Sequence, residues 1–186
     1  MKINLNQYKL PWLEKHAIDV AELTFEFCKY INYNNPYIFA AGYYHDIGKN
    51  LIPQKLLEST EISSEDFEVI KKHPLTGREI AQKLDLPSIV QISILEHHEN
   101  YDGTGYPYQK SYSDIHYLPR IIRITDSFCA MTENRNYNHA MTKDEALNEI
   151  ARNASKLYDP FIVSAFINYQ SITKIPFEKH FQEKPS

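Results

Sequence analysis

Seven side chains of this sequence are of the types that hold transition metals: His16, His45, Asp46, His73, His97, His98 and Asp126. Neutral imidazole and carboxylate together suit iron, manganese, nickel or zinc rather than the all-oxygen shell of calcium. A lone histidine beside an apolar stripe is usually a satisfied core or surface residue. Here five of the eight histidines fall at helix ends or beside such stripes, and their number argues for a shared task. Neighbouring residues on a helix diverge by about 100°, yet at a helix end His45-Asp46 and His97-His98 can each act as one chelating unit. Asp126 lies one position from the apolar stripe of Ile122, Phe128 and Cys129. An ionised carboxylate is costly there unless it binds a cation or is hydrogen-bonded. The competing explanation for Asp126 is a buried ion pair with Arg120 or Arg123.

Helices must bring these groups together. Apolar or small residues at Ala17, Val20, Ala21, Thr24, Phe27, Cys28 and Ile31 follow helical spacing from Pro11 to about Ile31, with His16 beside the stripe. Asn35 as cap and Pro36 at the first position predict a second helix that carries His45-Asp46 at its end, before Gly48 turns the chain. Ser63 with Asp66 predicts a capping box for a helix through Ile70 and Lys72, broken by Pro74 beside His73. Pro87 opens a helix ending at His97-His98, and Pro119 opens one that carries Asp126. Thr142 with Glu145 predicts a helix to about Leu157, and Asp159-Pro160 starts the last. No convincing alternating strand, repeat or low-complexity tract is found, and five glycines among 186 residues favour helix over turn-rich sheet. The expectation is an all-α, single-domain bundle over 1–186, with its motifs in about 12–172 and a polar, fraying tail at 176–186.

Composition bounds the partners. A formal charge of −4 gives no basic face for polymeric nucleic acid, although a small phosphorylated ligand stays compatible. Cys28 and Cys129 stand alone among apolar residues and read as reduced core thiols, consistent with the cytoplasm. Neither an export signal nor an apolar run of membrane-spanning length is present in the sequence.

In order and approximate spacing, HDIGK at 45–49, HPLTG at 73–77, HHENYDGTGYP at 97–107 and RIIRITDSFCAMTENRNY at 120–137 resemble the HD-GYP family, a branch of the HD superfamily of metal-dependent phosphohydrolases. The likeness runs from about His16 to Phe166. It implies a helical bundle of the HD-domain type with the metal centre in its core. One metal would be held by His16, His45, Asp46 and Asp126, and a second by His73, His97 and His98 with Asp46 bridging. The implied cofactors are two divalent transition-metal ions, iron first and manganese, nickel or zinc as alternatives. The implied reaction is hydrolysis of cyclic di-GMP or a related cyclic dinucleotide by a hydroxide bridging the metals. Lys49 would bind a nonbridging oxygen or help protonate the leaving 3′-oxygen. Gly105 and Tyr106 would border the substrate, and the GYP loop could instead dock a protein partner.

Two departures from the family pattern bear on function. Trp12 stands where several members carry a glutamate that allows a third metal, and Glu14 is two residues away. The family's Arg-Pro-Tyr-Arg/Lys phosphate anchor appears as Arg135-Asn136-Tyr137-Asn138, which keeps Arg135 for phosphate and leaves Asn138 a neutral donor. The alternatives to a cyclic dinucleotide phosphodiesterase are a phosphohydrolase for another nucleotide and a metal-stabilised sensing or docking module without turnover.

Overall fold

Pro11 opens the first helix, where a missing N–H costs nothing, and the apolar stripe then buries one face of α1 (Pro11–Tyr30). The computed structural model describes residues 7–133 and 140–173. It is helical throughout, without a β-strand among those residues. The stripe of α1 meets α2 (Ile38–Tyr44) so closely that a Cβ on Gly42 would lie 2.7 Å from the Cα of Ala21. Next come α3 (Gln54–Leu57), α4 (Ser64–Ile70), α5 (His73–Lys83) and α6 (Ser88–Glu96). α7 (Tyr117–Thr132), α8 (Lys143–Arg152) and α9 (Pro160–Ile172) complete the order. α6 packs on α2, α5 and α7; α7 packs on α1, and α8 and α9 close the other side of α7.

The core joins distant segments through large apolar contacts. Phe27 of α1, Phe128 of α7 and Phe166 of α9 are buried, with ring centroids 5.1 and 5.3 Å apart about Phe166 in edge-to-face pairs. Burying one such side chain contributes roughly 1.5–3 kcal/mol relative to leaving it exposed. The hydroxyls of Thr24 and Thr125, both fully buried, meet at 2.7 Å and fix the register of α1 against α7. That register sets His16 opposite Asp126.

Both capping boxes form as expected, at Ser63 with Asp66 and at Thr142 with Glu145. Pro74 is the second residue of α5 rather than an interruption of a longer helix, and α7 starts two residues before Pro119. Asn35 accepts a hydrogen bond from the Tyr37 N–H, but the helix starts only at Ile38 and stops at Tyr44. His45 and Asp46 therefore lie in a turn, followed by a short 3-10 helix at Ile47–Leu51. The helix expected to reach Leu157 ends at Arg152 because Asn153 folds its side chain onto the Glu149 carbonyl at 2.9 Å and Ser155 takes a positive φ. Cys28 and Cys129 are buried, free thiols, and burial pushes the Cys28 thiol up to about 12. None of the described helices is long and apolar enough to cross a membrane. The tail at 176–186 lies outside the described residues.

Candidate metal centre and its rim

The seven candidate ligands converge from five parts of the fold. His16 projects from the middle of α1 and Asp126 from α7, with His16 Nε2 2.9 Å from Asp126 Oδ1. His45 and Asp46 come from the turn after α2, His73 from the first residue of α5, and His97 and His98 from the end of α6. Two groups result: His16, His45 and Asp126, and Asp46, His73, His97 and His98. Within each, the potential ligand atoms lie within 4.8 Å of one another. Asp46 faces both groups: its Oδ1 is 3.1 Å from His73 Nε2 and 3.6 Å from His97 Nε2, while its Oδ2 is 3.3 Å from His45 Nε2.

Each half has its own charge state. Burial alone would push His45 down, but the charges of Asp46 and Asp126 outweigh it and raise the imidazole to about 10. Burial likewise opposes protonation of His16, and hydrogen bonds to Asp126 and Glu133 win. Across the site burial prevails. It draws His97 down to about 4 and lowers His73, while His98 is held well below its ordinary range by burial and by its neighbours His97 and His73. Burial opposes ionisation of Asp46, yet Lys49 and His45 hold it well below the usual carboxylate range.

The donor set fits divalent transition metals. His45 Nε2 and Asp46 Oδ1 are buried and have no hydrogen-bond partner of sound geometry among the described residues, an expense that a coordinated cation would relieve. Three rings are also held in a ligating tautomer. Nδ1–H of His45, His73 and His97 donates to the carbonyl three residues earlier, at 2.6, 2.8 and 2.8 Å, which turns each Nε2 toward the centre. The ion pair weighed for Asp126 does not form. Arg120 instead binds Asp159 at 2.6 Å, and Arg123 is held by Ser127 and Asn100.

The sequence profile of the HD domain matches residues 1–162. The chain belongs to the HD-domain family. This HD domain is 37% identical over 130 residues to a cyclic di-GMP phosphodiesterase of Thermotoga maritima, covering 68% of the chain and 35% of that protein. It is 29% identical over 186 residues to the 3′3′-cGAMP-specific phosphodiesterase 1 of Vibrio cholerae, covering 94% of the chain and 43% of that protein. The chain thus spans less than half the length of these relatives. An HDG"Y"P protein of Bdellovibrio bacteriovorus superposes with a TM-score of 0.70 at 19% identity, over 86% of this chain and 52% of that one.

Around the HD-domain centre, the glycine-tyrosine-proline loop is pinned by two acids that the sequence reading passed over. Glu99 accepts from the backbone N–H groups of Tyr108 and Lys110 at 2.7 and 3.0 Å. Glu96 accepts from the His116 N–H at 2.9 Å and the Lys110 ammonium at 2.6 Å. Both are buried carboxylates flanking the histidine pair, and the available signal was their place, Glu96 just before HHENYDGTGYP and Glu99 within it. Gly105 is required by close approach, since a Cβ there would lie 2.2 Å from the Asn100 nitrogen. Tyr106 stacks on His98 with centroids 4.8 Å apart, and both Gly105 and Tyr106 line a cavity of about 510 Å³ next to His98.

Glu133 is the third residue missed. Its Oε2 lies 3.2 Å from His16 Nδ1, giving the mid-helix ring the carboxylate partner that the helix-end rings find in a carbonyl. Lys49 places its ammonium 2.5 Å from Asp46 Oδ2. Trp12 donates to Glu58, and Glu14 accepts from the Tyr43 hydroxyl. Arg135 and Asn138 lie outside the described residues.

Proposed function

We propose that the chain is a metal-dependent phosphodiesterase that hydrolyses cyclic di-GMP or a related cyclic dinucleotide. The observation that carries this reading is the Asp46 carboxylate set between two histidine groups, one oxygen toward each. His16, His45, Asp46 and Asp126 would hold one cation, and His73, His97 and His98, with Asp46 shared, a second. Two divalent ions, iron first and manganese, nickel or zinc as alternatives, would supply Lewis acidity toward phosphate oxygens and lower the pKa of water. The names of the relatives support the substrate class.

The chain's own groups have distinct tasks in this reading. Asp46 is the shared anchor. Lys49, poised at that carboxylate, neutralises a phosphate oxygen or hands a proton to the leaving 3′-oxygen. Tyr106 and Gly105 border the bound nucleotide, with the rigid Gly105 backbone holding Tyr106 against His98. Arg135 and Asn138 are proposed as further substrate contacts on the resemblance alone. The proposed unit is one HD-GYP-like domain working in the cytoplasm, where two free buried thiols would persist. The GYP loop, with Tyr108 and Tyr112 exposed, is the surface proposed to meet a protein partner.

The test is anaerobic purification, metal analysis, and incubation with cyclic di-GMP, 3′3′-cGAMP and cyclic di-AMP, with products separated by chromatography. A linear dinucleotide or mononucleotide is expected, with about two metals per chain. Binding of a cyclic dinucleotide without turnover under iron, manganese, nickel and zinc alike would replace the enzyme with a sensing module.

A further inference from the structure

The cavity beside His98 holds a cation whose purpose the metal centre does not explain. Arg123 lies one helical turn before Asp126 on the same face of α7. Its guanidinium donates to two neutral oxygens, Ser127 Oγ at 3.1 Å and Asn100 Oδ1 at 3.2 Å, and stacks 5.5 Å from the Tyr158 ring centroid. Among the described residues no carboxylate pairs with it, and its Nε, like that of Arg120, is buried with no partner. Arg120, one turn away, shows the ordinary alternative by closing onto Asp159 at 2.6 Å. A half-buried guanidinium held open by neutral groups costs desolvation without an ion pair to offset it. Such a cost is understandable where an anionic ligand completes the site.

The surroundings name the anion. Three cations, Arg123, Lys71 and Lys72, line the cavity against one carboxylate, Glu68, which is already bonded to Lys71 at 2.6 Å. The rings of Phe67 and Tyr106 stand edge to face at 6.5 Å, with the Lys71 ammonium 5.5 and 5.9 Å from their centroids. Aromatic faces beside excess positive charge suit a nucleobase and its phosphate. Of the candidate metal ligands only His98 borders this cavity, so it extends outward from the centre rather than over it.

Resting on the cyclic-dinucleotide reading above, we infer that Arg123 binds the substrate's second phosphodiester, the one not undergoing hydrolysis. A cyclic dinucleotide has two phosphodiesters, and only one can occupy the metal centre at a time. Guanidinium matches the other through paired N–H donors. Arg123 thus supplies from α7 a phosphate anchor of the kind that Asn138 does not offer.

The experiment compares two substrates on the metal-loaded full chain: cyclic di-GMP, and bis(p-nitrophenyl) phosphate, which has a single phosphodiester. Arg123→Gln is expected to lower the ratio of kcat/KM for cyclic di-GMP to that for the small diester by about tenfold or more, chiefly through KM. Arg123→Lys should recover part of the ratio by restoring charge. Asn100→Ala, which loosens one hold on the guanidinium, should lower the ratio less, and it serves if Arg123→Gln fails to fold. A ratio unchanged in folded Arg123→Gln, or equal proportional loss on both substrates, would overturn the assignment while leaving the phosphodiesterase reading intact. A wild-type chain that cleaves the small diester but neither binds nor cleaves any cyclic dinucleotide would overturn both.

Discussion

The two halves of the candidate metal centre use the same residue types but are fixed in different ways. His73 and His97 sit at helix ends, where Nδ1–H reaches a carbonyl three residues back in the same segment. His45, in the other half, uses the same device. His16 sits mid-helix, where the backbone carbonyls serve the helix ladder, and its ring is set by Asp126 and Glu133, which are 110 and 117 residues away in sequence. The rings of one half are therefore oriented within their own segments, although α2, α5 and α6 must still pack to bring Asp46, His73 and His97 together. The other exists only when α1 and α7 are in register through Thr24 and Thr125. Local geometry orients a ligand cheaply; a mid-helix ligand needs a partner from another element.

Asp46 is the point where that distinction disappears, since its two oxygens serve the two halves. On the two-metal reading proposed above, Asp46→Ala should therefore have the largest effect, removing both metals and lowering kcat/KM by more than the roughly 10–100-fold typical of losing an outer partner. Metal analysis of the purified variant checks this. Retention of two metals with near-normal turnover would take Asp46 out of the shared position.

His73→Ala should be next, and one-sided. The second metal should be depleted while the first is retained, with the far-ultraviolet circular dichroism of the helices preserved, because the buried ring packs on His97, His98 and Tyr106 of the site itself rather than on the apolar core. Global unfolding with unchanged metal in the folded fraction would make His73 structural. Gly48→Ala attacks the same half through its scaffold. A Cβ there would lie 2.0 Å from the His73 carbonyl oxygen and 2.7 Å from the Gly77 nitrogen, both backbone atoms that cannot rotate away. A destabilisation of about 1–3 kcal/mol is expected from such overpacking, visible as a lower Tm, with metal lost first from the second group. An unchanged Tm would show that α5 can shift freely against the 3-10 helix.

This contrast also explains what could be seen in the sequence. Ligands at helix ends come with punctuation: Pro74 beside His73, Gly48 after His45-Asp46, and the glycine-rich turn after His97-His98. Such signals, together with the capping boxes and the stripe of α1, made the helical class and all seven candidate ligands legible. The GYP loop's pins were less so, because Glu96 and Glu99 work by accepting backbone N–H groups 9 to 20 residues on, a pairing with no periodicity. Helix ends at Tyr44 and Arg152 were overrun because side-chain and turn geometry, not the apolar pattern, stops them. Glu133 and Arg123 were missed as functional candidates for the same reason that an ion pair of Asp126 with Arg120 or Arg123 stayed open beside metal binding. Spacing along one helix does not tell which face meets which distant residue.

The smallest expected effect tests the long-range half at its weakest hold. Glu133→Gln keeps an oxygen that can accept from His16 Nδ1–H but removes the negative charge, whereas Glu133→Ala removes both. Because an outer carboxylate orients the ring and raises its basicity, Glu133→Ala should weaken binding of the first metal by about 10–100-fold. Glu133→Gln should weaken it less, on the order of a few-fold to tenfold, since orientation survives and only the electrostatic contribution is lost. Glu133 binds the ring of His16 in the first group, so titration with manganese or zinc should show one affinity displaced and the other unmoved. If glutamine proved as damaging as alanine, charge rather than orientation would be what His16 needs from this contact. If neither variant shifted the first affinity, Asp126 alone would be holding the ring, and the contrast between locally and remotely fixed histidines would lose its energetic content.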